Sequence, residues 1–542
     1  MKSHFNRSVI LPDERIEKMI DTGAWENRLL SEYFLQWVEE FPERVAIKSF
    51  SLDRGTVNTL TFSDLDAVVN QISSALQRFK IEFGDVVSFQ LENRWEFSAI
   101  ALACERIGAI SNPLLPVYRE RELTYMLNLS EAKILIVPKY FRGFDFKSMA
   151  TRLKNKVSTL QHILILDDDG EDSFASAIDN NYNFKNSENL SANDLMQILF
   201  TSGTTGEPKG AMHTANTLLS NIRECAKRFA ITSTDVIFCP TPLAHQLGYL
   251  CGFLMPTYVG ATAVLVDIWD LKKVARIMED EAATFCMGAT PFLNDLAGLD
   301  ENTQFNLSAL RLFVSGGAPI PSALVAKAKK KLSADIISVW GMTEVLVVTT
   351  VCLGDADEKI AGTDGVPTPH TSVRVVNDQG DVLPPGNEGF LETSGATVCV
   401  GYLKRPELFS VRDEIWFETG DMARIDEDGY IRITGRAKDI IIRGGENIPV
   451  VEIEGILYRH EAITQVAIVA MHDERLGEKA CAYVQLKPGQ SLTLKDVSIF
   501  LEAENVAKVY HPERLELIME MPMTATGKVQ KYELRNWAES LL

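Results

Sequence analysis

Short, uninterrupted apolar runs alternate with helical patterns over roughly the first four-fifths of the chain, and this alternation restricts the fold more than any other feature. Asp85-Val86-Val87-Ser88-Phe89-Gln90 precedes a helical stretch from Trp95 to Ile107. Lys133 to Val137 and His162 to Leu166 read as strands; Leu312 to Val314 and Ile336 to Val339 flank a helical run near Pro321 to Lys331. Strands alternating with helices imply mainly parallel sheets covered by helices, hence an α/β fold. Ligands of such sheets bind at the carboxyl ends of the strands. After about Gly365 the pattern shifts to short β-like runs and turns, including Asp378-Gln379-Gly380-Asp381, Pro384-Pro385-Gly386 and a strand at Gly429 to Thr434. The C-terminal part reads as α+β, with a helix from near Pro449 that carries Val450, Ile453, Ile456 and Leu457 on one face. A chain of 542 residues exceeds the roughly 250–300 that one core supports, so at least two domains are expected.

One loop stands out for its chemistry. Thr201-Ser202-Gly203-Thr204-Thr205-Gly206-Glu207-Pro208-Lys209-Gly210 follows the apolar strand Leu195 to Phe200 and precedes a helical pattern at Leu218, Leu219, Ile222, Cys225, Ala226 and Phe229. Glycines admit a polyanion close to the backbone, hydroxyls and amides donate to its oxygens, and Lys209 adds mobile positive charge. A Walker A loop is excluded, because Pro208 precedes the lysine and Gly210 follows it where Ser or Thr would hold a metal. Ser315, Trp340 and Thr201 each begin a motif after a strand, so all three are expected at one edge.

With its companions the loop resembles the phosphate-binding loop of the ATP-dependent adenylate-forming superfamily, which holds acyl-CoA synthetases, peptide-synthetase adenylation domains and luciferases. Ser315-Gly316-Gly317-Ala318-Pro319 resembles its adenine-binding turn, and Trp340-Gly341-Met342-Thr343-Glu344 its aromatic-G-x-T-E motif. Thr419-Gly420-Asp421 resembles the ribose motif, Gly435 to Asp439 the hinge, and Pro522 to Lys528 the C-terminal lysine motif. The resemblance implies a large N-terminal adenylation domain, 1–437, with a β-rich subdomain, and a small mobile C-terminal domain, 438–542, hinged near Lys438. It implies nucleotide contacts from Thr201, Ser202, Gly203, Thr204, Thr205, Lys209, Gly316, Gly317, Ala318, Pro319, Trp340, Gly341, Asp421, Ile433, Arg436 and Lys438. Trp340, where relatives carry tyrosine, is expected to cover the adenine. Asp421 and Arg436 are expected at the ribose, Glu344 and Thr204 at Mg²⁺, and Thr343 at the α-phosphate. Lys528 is the expected catalytic cation.

The implied reaction joins a small carboxylic acid to AMP with release of pyrophosphate, then to coenzyme A. A carboxylic acid with a pKa near about 4 is already ionised at neutral pH, so the first step needs alignment and positive charge rather than a base. Gly445, in Arg443-Gly444-Gly445-Glu446, is expected to line the thiol tunnel, and reads equally as a hairpin turn. His245 reads either as a residue beside the acyl group or as a structural histidine. Gly341, where acetyl-CoA synthetases place tryptophan, and Gly288 are expected to leave the acyl pocket open. The substrate class is then a short- to medium-chain, branched, alicyclic or aromatic acid, with similarity to cyclohexanecarboxylate- and carnitine-type ligases. The rival within the superfamily is an aryl-acid adenylating enzyme that loads a phosphopantetheine carrier protein. It is disfavoured by Gln246, where such enzymes hold asparagine.

Composition narrows the remaining classes. A net charge of −20 opposes nucleic-acid binding built on phosphate contacts. The eight cysteines form no C-x-x-C pair and read as buried apolar residues in a reducing compartment. Met1 to Met19 lacks the apolar core of a secretory signal. Leu247 to Val266 contains no charge, yet Gly248, Gly252, Pro256 and Gly260 interrupt it, so a buried helix, a break and a strand are expected rather than a membrane span. A cytoplasmic monomer or homodimer is the expectation.

Overall fold

The computed structural model describes residues 11–178, 190–201, 208–299, 305–317, 320, 322–413, 415–443, 446–524 and 529–541. Fifteen strands build two large sheets. In chain order they are β1 (Val45–Ser51), β2 (Thr56–Thr61), β3 (Val86–Phe89), β4 (Ile110–Pro113), β5 (Ile134–Pro138), β6 (His162–Leu166), β7 (Leu195–Thr201), β8 (Lys209–Thr214), β9 (Val236–Cys239), β10 (Thr262–Val266), β11 (Phe285–Gly288), β12 (Leu312–Gly316), β13 (Asp335–Met342), β14 (Leu346–Thr350) and β15 (Val366–Pro367). The nine-stranded sheet runs β15-β14-β13-β12-β11-β9-β10-β1-β2, and the six-stranded sheet runs β8-β7-β4-β3-β5-β6. Pairing is parallel from β13 through β1 and from β7 through β6; β2, β14, β15 and β8 add antiparallel edges.

The helices Trp95–Ile107 and Ala215–Arg228 are buried at nearly every position, as helices covered by a sheet on each side must be. Phe97, on the first of them, lies edge-on to Phe89 of β3 at 4.9 Å and to Tyr249 at 6.1 Å. One continuous apolar core joins residues of both sheets.

The region after Gly365 is antiparallel, as its turns predict. Thr371–Val376, Gly389–Gly395, Val411–Arg412, Trp416–Ile425 and Ile431–Arg436 form a five-stranded sheet. A 3₁₀ turn at Ala437–Asp439 leads on to a second five-stranded sheet, from Ile441–Arg443 to Arg514–Leu517, with helices Val450–Leu457, Leu494–Ala503 and Lys531–Ser540. Val450, Ile453 and Leu457 are buried, as their spacing predicts.

Two expectations need correction. The loop after Thr201 does not lead directly into a helix: Lys209 to Thr214 first pair antiparallel with β7, Lys209 opposite Thr201. The helix begins only when Thr214 caps the Thr217 amide. Residues 210–214 of that strand are buried without alternation, so no period-2 pattern marked it in the sequence. Secondly, the motif at Thr201 belongs to the six-stranded sheet, whereas those at Ser315 and Trp340 end strands of the other one. The site therefore forms between sheets rather than along one edge.

Leu247 to Val266 is a buried helix, break and strand: a helical turn at Gln246–Gly248, a π-helical stretch at Tyr249–Leu254, a helix at Met255–Val259, Gly260 at φ 74°, then β10. Among the described residues no helix is long and apolar enough to cross a membrane. All eight cysteines are free thiols, and all but Cys352 are buried.

Phe97 spans the contact between the two sheets, so Phe97→Ala leaves a cavity where neither sheet can collapse alone. A loss of about 3–5 kcal/mol is expected, read as a lower urea-unfolding midpoint.

Candidate active site

The C-terminal ends of β13, β12, β11 and β9 lie side by side, because these strands are neighbours in the sheet. Thr343-Glu344, Gly316-Gly317, Gly288 and the segment from Pro240 to Gln246 therefore form one row, about 14 Å long at the usual strand spacing.

Thr343 and Glu344 sit in the three-residue turn between β13 and β14, closed by Leu346 at φ 61°. A three-residue hairpin that ends in a left-handed residue has a bulge, and Gly341 makes room for it: a Cβ there would lie 1.9 Å from the Leu346 carbonyl oxygen. This revises the reading of Gly341 as an opening into the acyl pocket. Its missing side chain is occupied by backbone. Gly288 is filled likewise, since a Cβ would come within 2.8 Å of Pro240 Cγ and 3.1 Å of Phe292. Gly317, at φ 88°, has open space where a Cβ would stand.

The turn is fixed from several sides. Tyr402 donates its phenol proton to Glu344 Oε1 at 2.6 Å, and both side chains are buried. Burial, with Glu344 alongside, pushes the Tyr402 phenol well above its ordinary range, so it remains a donor. Lys209 Nζ lies 4.8 Å from the centroid of the same ring, close enough for a cation–π contact. Lys209, Tyr402 and Glu344 thus form one polar chain across the two sheets. The Cys399 amide donates to the Glu344 carbonyl at 2.7 Å. Arg15 in turn donates to the carbonyls of Gly395, Val398 and Cys399.

His213 on β8 completes the frame. Its Nε2 lies 2.8 Å from the Thr343 carbonyl, and its Nδ1 3.1 Å from Thr217 Oγ1. A carbonyl only accepts, so Nε2 carries the proton. Burial drives the His213 pKa down to about 4, against the pull of the Thr343 carbonyl.

Trp340 and Asp421 form a second pair. The buried indole donates to Asp421 Oδ2 at 2.9 Å, and Arg436 Nε lies 2.8 Å from Oδ1. Asp421 and Arg436 are cross-strand partners. The indole thus orients the carboxylate expected at the ribose, a use the sequence did not disclose. Nearby, Asp364 accepts the Ile433 amide at 2.8 Å; burial raises its pKa, offset in part by Arg432. Trp340 and Tyr402 share one apolar cluster, so the Trp340–Asp421 pair and the Glu344 turn belong to one packed unit.

His245 begins the helical turn Gln246–Gly248, where its Nδ1 accepts the Leu247 amide at 3.3 Å. Both readings of that residue survive. Gln246 is buried, and neither end of its amide meets a partner among the described residues. Arg443 and Glu446 are opposed across an antiparallel pair, the spacing of a two-residue hairpin. Ser202, Gly203, Thr204, Thr205, Ala318, Pro319, Gly445 and Lys528 lie outside the described residues, as does the side chain of Lys438; Met523, within the lysine motif, bridges Val529 just beyond it. Tyr402, His213, Arg15 and Asp364 were missed, because nothing local in sequence links them to Glu344 or Asp421. Among the described residues no three His, Cys, Asp or Glu side chains could cage a metal. Glu344 alone fits the lesser demand of Mg²⁺, which takes one or two carboxylates and shares substrate phosphates.

Tyr402→Phe removes the donor and keeps the ring. A buried hydrogen bond to a charged group carries about 1.5–3 kcal/mol, so a loss of roughly 10–100-fold in acid-dependent pyrophosphate–ATP exchange is expected. Neutral His213 gives a pH signature. Its folded pKa lies below the ordinary 6.5, so the unfolded chain binds the proton first, and stability drains away as pH falls from about 6.5 to 4. The share due to this residue reaches about 3 kcal/mol. His213→Gln should flatten the fall of the urea midpoint between pH 7 and pH 4.5.

Residues 34–403 match the family of AMP-binding enzymes, and residues 452–528 match the AMP-binding enzyme C-terminal domain. The chain is 37% identical to the medium-chain fatty-acid–CoA ligase of Escherichia coli, over 98% of its own length and 94% of that protein. It is 28% identical to the 2,3-dihydroxybenzoate-AMP ligase of Bacillus subtilis, over 97% and 96%. Its fold matches that of ATP-bound MatB from Rhodopseudomonas palustris with a TM-score of 0.85, at 27% identity, over 95% and 100% of the two chains. The protein belongs to the AMP-binding enzymes of the adenylate-forming superfamily.

Proposed function

We propose that the protein is an ATP-dependent acid–thiol ligase that converts a medium-chain carboxylic acid into its coenzyme A thioester. The observation that carries this reading is the buried Tyr402–Glu344 pair, with Lys209 beside it, at the end of β13. It lines up with the Trp340–Asp421–Arg436 cluster in one packed unit, which supplies a phosphate end and a sugar end for one nucleotide.

In the first step the ionised carboxylate attacks the α-phosphorus of ATP. A phosphorus–oxygen bond to the acid forms, the bond to the β-phosphate oxygen breaks, and pyrophosphate leaves with the electron pair. Lys209 and the hydroxyl loop from Thr201 to Thr205 hold the phosphates. Lys528 brings positive charge to the α-phosphate and the acid. Thr343 donates to the α-phosphate. Glu344 would hold Mg²⁺ together with the phosphates, and that ion would offset their charge. Gly316, Gly317, Ala318 and Pro319 border the adenine, while Asp421 and Arg436 bind the ribose. In the second step the coenzyme A thiolate attacks the acyl carbon and AMP departs. Rotation of residues 438–542 about Lys438 brings Gly445 to the thiol path.

On this reading the acid lies along the row of strand ends, from Glu344 past Gly317 toward His245 and Gln246. The medium-chain ligase at 37% identity supports the medium-chain class, and supports coenzyme A over a carrier protein. We place the enzyme in the cytoplasm as a monomer or homodimer.

An acid panel with AMP and acyl-CoA both quantified by mass spectrometry tests the reading. Saturated acids of medium length should yield both products. Product in the presence of carrier protein alone would favour the rival. Lys528→Ala should lower adenylation roughly 10²–10³-fold and spare thioester formation from supplied acyl-adenylate; Gly445→Leu should do the reverse. Equal loss of both half-reactions in either variant would remove that residue from its assigned step.

A further inference from the structure

We propose that Asn93 is a positioning residue that sets acyl selectivity by latching the loop Pro240–Gln246 to the six-stranded sheet. The loop follows β9 of one sheet, and Asn93 follows β3 of the other. Asn93 Nδ2 donates to the Thr241 carbonyl at 3.1 Å, and the Leu243 amide donates to Asn93 Oδ1 at 2.7 Å. Asn93 is 6% exposed and the Leu243 side chain is fully buried. The amide thus satisfies both a donor and an acceptor at the buried residues Thr241 and Leu243 of the loop, and it does so across the sheet–sheet boundary.

The latch has a rigid base. Its chain neighbours Glu92 and Arg94 belong to a buried ion network: Arg94 meets Glu92 at 3.1 Å, Glu96 at 2.6 Å and Asp167 at 2.8 Å, and Arg54 meets Glu92 at 2.8 Å. Two glycines let the loop seat closely on its other sides. Gly288 accepts Pro240 against its backbone. A Cβ at Gly248 would lie 2.1 Å from the Pro242 carbonyl oxygen. Those contacts are steric, whereas Asn93 fixes the loop by polar bonds with direction. The loop ends at His245 and at Gln246, whose buried amide has no partner among the described residues. On the reading of the row of strand ends as the acid's path, a shift of this loop changes the wall the acyl chain meets and leaves the nucleotide end untouched.

Asn93→Ala and Asn93→Asp separate the two parts of the proposal. Aspartate keeps the acceptor for the Leu243 amide and loses the donor to Thr241. Hydrogen–deuterium exchange of the nucleotide-free protein reads the latch without any activity: faster exchange confined to 240–249 is expected in both variants, larger for alanine. Unchanged exchange there overturns the latch. Steady-state kinetics over a series of straight-chain acids reads selectivity. The KM for the acid should rise about tenfold in Asn93→Ala and less in Asn93→Asp, with a shifted chain-length optimum and with the KM for ATP within twofold of wild type. Equal changes in both KM values, or an unchanged chain-length profile, overturn the selectivity role. A wild type that turns over no acid contradicts the ligase reading and the selectivity role with it, while exchange still decides the latch.

Discussion

The site depends on hydrogen bonds that close over the seam between two sheets, and the one from Tyr402 fixes the carboxylate itself. Tyr402 reaches Glu344 from a segment that runs beside β8 of the six-stranded sheet, while Glu344 turns out of β13 of the nine-stranded one. Neither sheet alone could hold that carboxylate in a fixed place. A buried carboxylate without a donor is costly, so the phenol both permits the burial and sets the direction of the charge. His213 holds the adjacent carbonyl from the same side of the seam, and Arg15 gathers the carbonyls of the segment that leads to Tyr402.

The same burial holds two titratable groups around the turn uncharged. His213 stays neutral because it is buried and its proton is committed to Thr343. Tyr402 stays protonated for the same physical reason. Near the Glu344 turn the positive charge is Lys209, against the Tyr402 ring, and beside Asp421 it is Arg436. In a protein of net charge −20, that local placement, rather than overall charge, must attract a polyanionic substrate.

Much of the architecture was legible from the chain. Uninterrupted apolar runs disclosed the parallel strands, and the loop at Thr201, the Gly316-Gly317 turn and Asp421 pointed to a nucleotide because their chemistry is local. What stayed hidden was whatever depends on distance in space. No spacing announces that position 402 meets position 344, or that an indole at 340 will orient the carboxylate at 421. Gly341 shows the opposite failure. The sequence suggested an empty pocket, whereas the space is taken by the backbone of the turn it enables. Strand β8 was overlooked because six residues beside a glycine-rich loop carry a weak signal until their partner strand is known.

A double-mutant cycle between Tyr402 and Glu344, measured by acid-dependent pyrophosphate–ATP exchange, tests the central claim most directly. If the phenol acts through the carboxylate, removing it in a Glu344→Gln background should cost almost nothing further, giving a coupling of at least about 1.5 kcal/mol. Two losses that simply multiply, within a factor of about two, would show that Tyr402 and Glu344 act independently and would contradict the account.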